Sequence, residues 1–296
     1  GWIERTMSSA ALTSTTQAPQ RSKANQIDLM TARLLFMFFN VGMGVFIVYF
    51  YPYMRQIGLT GAQIGVISAV SPIAITAVNT VWGVMADRYG NTRGLLIMAP
   101  VVTIIAALLL SFTDSFALIF PLAVLFFAFF MPVNTLLSTL TLEFLRHEPQ
   151  KFGSIRAWGS IGFIVTTFIA GFVFQTIGNS YIYYVYICAG LMFLATTFFL
   201  RPQRLSAGPD LISGLRLLVR QRAWVIFMIS GFLVSAGFST MNTFLSVYLT
   251  DQGAPRSLLG TVNAVAALSE VPVLFLGAVL LRRFKARSLL IFGYLA

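Results

Sequence analysis

Long apolar runs, broken only by short polar connectors, fill the chain from about residue 31 to its last residue. A helix needs roughly 20 apolar residues to cross a bilayer core. By that measure the pattern predicts helices near 31–54, 63–84, 94–112, 116–145, 154–177, 181–200, 223–249 and 258–281. A ninth run opens at about Ser288 and stops in mid-run at Ala296. The expected fold class is an all-α polytopic membrane protein. Residues 1–30 break the pattern, being rich in Ser, Thr, Ala and Gln with no apolar core, and are expected to form a disordered tail. Met7 opens that tail, so Gly1 to Thr6 read as a cloning or upstream remnant.

Composition agrees with lipid as the solvent. The chain is 57% apolar and only 10% charged, with a mean hydropathy of +0.83, which leaves too little polar surface for a soluble fold of this size. Its net charge of +11 comes from basic residues scattered between apolar runs, so a nucleic-acid partner is not expected. Those residues orient the stack instead. Arg55 and Arg256 lie in connectors on one side. Arg88, Arg93, Arg146, Lys151, Arg201, Arg204, Arg216, Arg220, Arg222, Arg282, Arg283, Lys285 and Arg287 lie on the other. The excess of Lys and Arg marks the cytoplasmic side, which also receives the amino-terminal tail. Cys188 and His147 stand alone and predict neither a disulfide nor a metal site. No nucleophile, base and orienting group occur together, so enzymatic chemistry is not expected.

Charge is compressed at Gly83-Val84-Met85-Ala86-Asp87-Arg88-Tyr89-Gly90-Asn91-Thr92-Arg93-Gly94, between the second and third runs. This stretch resembles the signature loop of major facilitator superfamily transporters. The resemblance makes Gly83, Asp87, Arg88, Gly90 and Arg93 a conformational latch, although Asn91 and Thr92 stand where basic residues are usual. A weak internal repeat has the same implication. At an offset of 195, Gly42 falls on Gly237, Tyr53 on Tyr248, Gly58 on Gly253 and Gly65 on Gly260, and after a one-residue gap Arg93 falls on Arg287. Two parallel halves are thus expected, as in transporters built on an axis along the membrane normal. Residues 31–200 form a six-helix bundle, 201–222 a cytoplasmic linker and 223–296 an incomplete second bundle. A full member has twelve helices, so the chain is expected to be a carboxy-terminally truncated piece.

A second stretch, Phe152-Gly153-Ser154-Ile155-Arg156-Ala157-Trp158-Gly159, together with Ser269-Glu270-Val271-Pro272, resembles the branch that holds lactose permease, phenylpropionate permeases and nucleoside–proton symporters. Glu270 lies about twelve residues into its run, roughly 18 Å deep at 1.5 Å per residue. A carboxylate there costs roughly 3 kcal/mol on insertion scales, so it is expected to face water, a base, or to hold a proton. The resemblance implies that Glu270 contacts solute and carries the coupled proton, and that Arg156 orients the solute. Trp158 is either a stacking surface or an interfacial anchor. Asn40 and Asn242 lie in the first and seventh runs, which line the cavity in that family, and are solute-contact candidates; Asn79, Asn134 and Asn263 are the other amides within the runs. Ser138 occupies a position where the family commonly carries an acid, which leaves the coupling ion open.

The function expected is secondary active transport of a sugar, nucleoside or aromatic acid by proton-coupled symport and alternating access. A monomer in the bacterial inner membrane is expected, with no cofactor beyond the proton gradient and no metal. An exporter or facilitator, or a non-transporting scaffold of the same fold, remains the alternative. Drug exporters of the superfamily usually carry a Gly-Pro pair in the fifth helix, and Gly159, Gly162 and Gly171 have no proline nearby.

Overall fold

A computed structural model describes residues 18–89, 92–145, 148–178, 181–200 and 219–283, which among themselves are helical with no strand. The helices are α1 Ala18–Gln56, α2 Gly61–Tyr89, α3 Thr92–Leu110, α4 Phe116–Phe144, α5 Phe152–Ile177, α6 Ile182–Thr197, α7 Arg222–Asp251 and α8 Arg256–Arg283. A single 3-10 turn, Pro149–Lys151, leads into α5. Each of the eight runs is a helix because a backbone in hydrocarbon must satisfy its own polar groups within the segment. Five helical stretches are long and apolar enough to cross a membrane: Asp28–Gln56, Gly61–Met85, Thr92–Leu110, Phe116–Phe144 and Phe152–Thr176.

Two helix boundaries are corrected: the second helix continues past the expected end at 84 to Tyr89, so Asp87 and Arg88 lie on its last turn rather than in a loop, and the tail is partly helical. Disorder was expected over residues 1–30, yet α1 begins at Ala18 and runs for 39 residues, about 58 Å. Pro19 is tolerated in a first turn, where its missing N–H has no partner to lose, and Gln20, Arg21, Lys23, Ala24 and Gln26 are good helix formers. The remnant at 1–6, most of the linker and the ninth run lie outside the described residues.

α1 is the hub. It packs against α5, α6, α4, α2 and α7, and α5 in turn carries α8. Leu35, Phe36, Val45, Phe46, Tyr49, Phe50 and Met54 are wholly buried along it. Phe46 stacks on Phe126 of α4 at 3.7 Å and meets Tyr186 of α6 edge-on at 5.4 Å. Tyr186 Oη donates to Thr103 Oγ1 at 2.7 Å, tying α6 to α3. Between α1 and α5 the seam is built from glycines. A Cβ on Gly162 would lie 2.7 Å from Met37 O, and one on Gly44 2.7 Å from Thr167 Oγ1. Small residues let membrane helices approach this closely, which is the source of their van der Waals attraction in lipid.

The internal repeat is visible in the backbone. At the end of α1, Gly58 N–H donates to Arg55 O and Leu59 N–H to Met54 O; at the end of α7, Gly253 N–H donates to Thr250 O and Ala254 N–H to Leu249 O. Both are Schellman caps in the same register, 195 residues apart, and both need a glycine at positive φ, 97° at Gly58 and 76° at Gly253.

Candidate functional site

The two copies of that cap meet. α8 lies along α5, separated only by Gly171 and Gly260: a Cβ on Gly260 would come 2.5 Å from Thr167 O and 2.6 Å from Tyr49 Oη. Tyr49 Oη donates to Thr167 O at 2.8 Å, fastening α1 to α5 beneath the contact. Arg256, the first residue of α8, donates through Nη1 to Phe174 O at 2.6 Å and through Nη2 to Gln56 Oε1 at 3.1 Å. Arg55 Nε donates to Asp251 Oδ1 at 3.1 Å, with both side chains over 40% exposed. These contacts close the Arg55 end, leaving a surface hollow of about 380 Å³ bordered by Pro52, Gln175, Pro255 and Arg256.

Deeper in the bundle lies a cavity of about 460 Å³. One wall comes from α1, α2, α4 and α5, with Met43, Ile47, Tyr51, Ser68, Ser71, Ile75, Phe127, Met131 and Phe163. The other comes from Ser246 of α7 and from Asn263, Ala266, Ala267 and Glu270 of α8. α1, α2, α4 and α8 contribute residues three, four or seven apart, which share one face of an α-helix, and α5 and α7 add one residue each. The Ser68 and Ser71 hydroxyls donate to Gly65 O and Ile67 O, and Asn263 Nδ2 donates to Leu259 O at 2.9 Å. Their oxygens therefore remain as acceptors toward the cavity. Tyr51 and Phe127 supply an aromatic surface, their rings near-parallel at 6.3 Å. Glu270 adds a carboxyl group to an otherwise apolar and weakly polar chamber. Such a space can desolvate a small organic molecule, hold it by ring contact and a few hydrogen bonds, and present one proton-exchanging group to it.

Of the residues singled out in the sequence, the cavity takes Glu270 and Asn263. Arg156 is exposed and does not line it, so the cavity does not bring Arg156 against Glu270. Arg156 sits seven residues before Phe163, hence on the same face of α5 and about 10 Å along it. Trp158 is 37% exposed on the same helix. Asn40 turns away from the cavity: its Nδ2 donates to Phe36 O at 2.9 Å and lies against Gly159, so it packs α1 on α5. Asn242 is in α7, and its side chain lies outside the described residues. Ser138 donates to Asn134 O on its own helix. Tyr51, Ser68 and Ser71 were missed, although the i, i+3 serine spacing on an apolar helix was a usable signal.

The proposed latch is described only in part. Gly83 is exposed, with nothing within 4 Å of an added Cβ. Asp87 and Arg88 form the last turn of α2, and their side chains, like all of Gly90, lie outside the described residues. Arg93 Nη2 donates to Phe198 O at 2.9 Å and its guanidinium lies 5.8 Å from the Phe198 ring, tying the start of α3 to the end of α6.

Known proteins resemble this chain in sequence and in fold. The uncharacterized transporter YwbF of Bacillus subtilis is 30% identical over 215 residues, covering 72% of this chain and 54% of that one. The maltose permease of Geobacillus stearothermophilus is 27% identical over 239 residues, covering 80% and 60%. This chain thus spans a little over half the length of these relatives. A crystal structure of the nucleoside transporter NupG superposes with a TM-score of 0.71 at 18% identity, over 86% of this chain and 68% of that one, which shows the fold. Residues 29–296 match the MFS_1 like family. With eight α-helices among the described residues, a repeated corner and a cavity between the repeats, the chain is a multi-pass membrane protein that belongs to the MFS_1-like family of the major facilitator superfamily.

Proposed function

We propose that this protein is a secondary active transporter that takes up a small organic solute together with a proton, by alternating access to the cavity around Glu270. The observation that carries the reading is the position of Glu270 on α8, facing the cavity wall built by α1, α2, α4 and α5. A carboxyl group kept in a membrane helix at a cost of roughly 3 kcal/mol is explained when it must gain and lose a proton as the protein works. The solute rests on Tyr51 and Phe127 and hydrogen-bonds to Ser68, Ser71 and Asn263. Arg156, on the Phe163 face of α5, meets the solute on its way out of the cavity toward the cytoplasmic end, opposite Arg256. The names of the maltose permease and of the nucleoside transporter support a hydroxylated solute. The Lys and Arg distribution supports an inner-membrane protein with its amino terminus in the cytoplasm and the Arg55 end outside. Asp87, Arg88 and Arg93 belong to the cytoplasmic latch of the opposite end.

The test is uptake of a labelled panel of sugars and nucleosides into proteoliposomes under an imposed pH gradient. Glu270→Gln keeps the shape of the side chain but cannot cycle a proton, so it should abolish accumulation and retain solute exchange. Accumulation equal to the parent protein in Glu270→Gln would remove the proton-coupling role.

A further inference from the structure

We infer that Arg256 is a positioning residue that holds the Arg55 end shut and so sets how often the cavity opens there, an inference that rests on the alternating-access reading above. Its guanidinium hydrogen-bonds to two helices of the first half, α5 through Phe174 O and α1 through Gln56 Oε1. Phe174 O is a carbonyl of the last turn of α5 and also accepts Gly178 N–H at 3.1 Å, so the arginine sits at the negative end of that helix. A planar guanidinium offers the two acceptors two separate nitrogens in one rigid fork, whereas an ammonium must aim all its donors from a single atom on a flexible stem. Both acceptors belong to the first half and the donor to the second. The two bonds therefore exist only while α8 lies on α5, and they break together when it lifts away.

The other polar ties rank below it. Tyr49 to Thr167 runs from α1 to α5, inside the first half, and is indifferent to the movement of α8. Arg55 to Asp251 does cross the joint, but it is exposed on both sides and screened by solvent. Directly below Arg256, Leu259 is 1% exposed and packs into the core of the first half, so its accessibility reports whether the joint is closed.

The experiment uses the whole chain in detergent, with Cys188→Ser removing the native thiol and Leu259→Cys introducing one at the joint. The rate of maleimide labelling is read without solute. Arg256→Gln should raise that rate about tenfold, the shift that losing a charge-assisted hydrogen bond gives to a two-state equilibrium. Arg256→Lys should fall between, since it keeps the charge but loses the rigid two-nitrogen fork that fits both acceptors. Gln56→Glu turns the second bond into an ion pair and should lower the rate below that of the parent, a direction that misfolding cannot mimic. An unchanged rate in Arg256→Gln, or a rate in Gln56→Glu that is not below the parent's, overturns the proposal. Because no solute is present, this outcome is independent of the Glu270→Gln uptake result.

Discussion

α1 and α7 are repeats of one another in sequence and in their final turn, yet they live differently. Both end in the same Schellman cap, with matching hydrogen bonds and a glycine at positive φ. Along α1 nearly every second or third side chain is wholly buried, whereas most described side chains of α7 are exposed, Phe232 at 71% among them. The repeat-related glycines show the same split. A Cβ on Gly42 would lie 3.2 Å from the Tyr186 ring, but one on Gly237 would meet nothing within 4 Å. For the next pair the order reverses: Gly65 is open and Gly260 is jammed between Thr167 and Tyr49. Only Gly58 and Gly253 are alike, both with open space and both bound to glycine by φ. A repeated glycine therefore marks a shared backbone need in one pair, whereas in the other two only one member is packed among the described residues of this chain, which spans a little over half the length of its relatives.

The sharpest break in that comparison should come at Gly260. Gly260→Ala pushes against a backbone carbonyl and a hydrogen-bonded tyrosine and should cost roughly 1–3 kcal/mol. Gly65→Ala should be neutral or stabilising, because alanine is favoured over glycine in a helix by up to about 1 kcal/mol. Thermal unfolding of the purified pair in one detergent measures the difference, and equal midpoints would mean that α8 does not rest on α5 as described.

A smaller contrast is expected between Gly42→Ala and Gly237→Ala. The Tyr186 ring is fixed by its bond to Thr103, so it cannot retreat freely, and Gly42→Ala should lose about 1 kcal/mol while Gly237→Ala loses none. Restoring space with Tyr186→Phe would sharpen the test, since a ring freed of its hydrogen bond should recover part of the loss in a double-mutant cycle.

For Gly58→Ala and Gly253→Ala the comparison predicts equality. Each forces a side chain into the left-handed region at a cost of about 1 kcal/mol, whatever packs nearby. Unequal losses in the two would show that one cap is held by tertiary contacts rather than by its own turn.

The smallest effect belongs to Arg55 and Asp251. Their exposed pair should show a coupling of no more than about 1 kcal/mol in a cycle of Arg55→Ala and Asp251→Ala, and less at high salt. A coupling well above that would give this pair, rather than Arg256, the main hold on the joint.

How far the sequence could be read follows from what each feature depends on. The helix positions were legible, because a run of apolar residues in lipid has one way to satisfy its backbone, and the observed ends differ from the expected ones by at most three residues apart from the start of α1 and the end of α2, which runs five residues further to Tyr89. The matched pair Gly58 and Gly253 was legible too, as a repeat, but the Schellman cap that each closes was seen only in the backbone. The depth of Glu270 could be counted along its helix, and it does face the cavity. Asn40 could not be assigned in the same way. Helices apolar on every side carry no stripe that says which face meets protein, so an amide in the first run could turn to the cavity or to α5, and Gly159 settled it by leaving room.

By itself, then, the sequence determined the class of solvent, the number and place of the described helices, the matched glycines of the repeat and one costly carboxyl group. These rest on local or additive physics: hydropathy over twenty residues, the φ tolerance of glycine, the rise of a helix. Tertiary structure alone decided which glycines are indispensable, that Asn40 packs while Tyr51, Ser68 and Ser71 line the cavity, and that Arg256 spans three helices. Those outcomes depend on distances between residues far apart in the chain, such as the 82 positions from Phe174 to Arg256, and no local pattern encodes them.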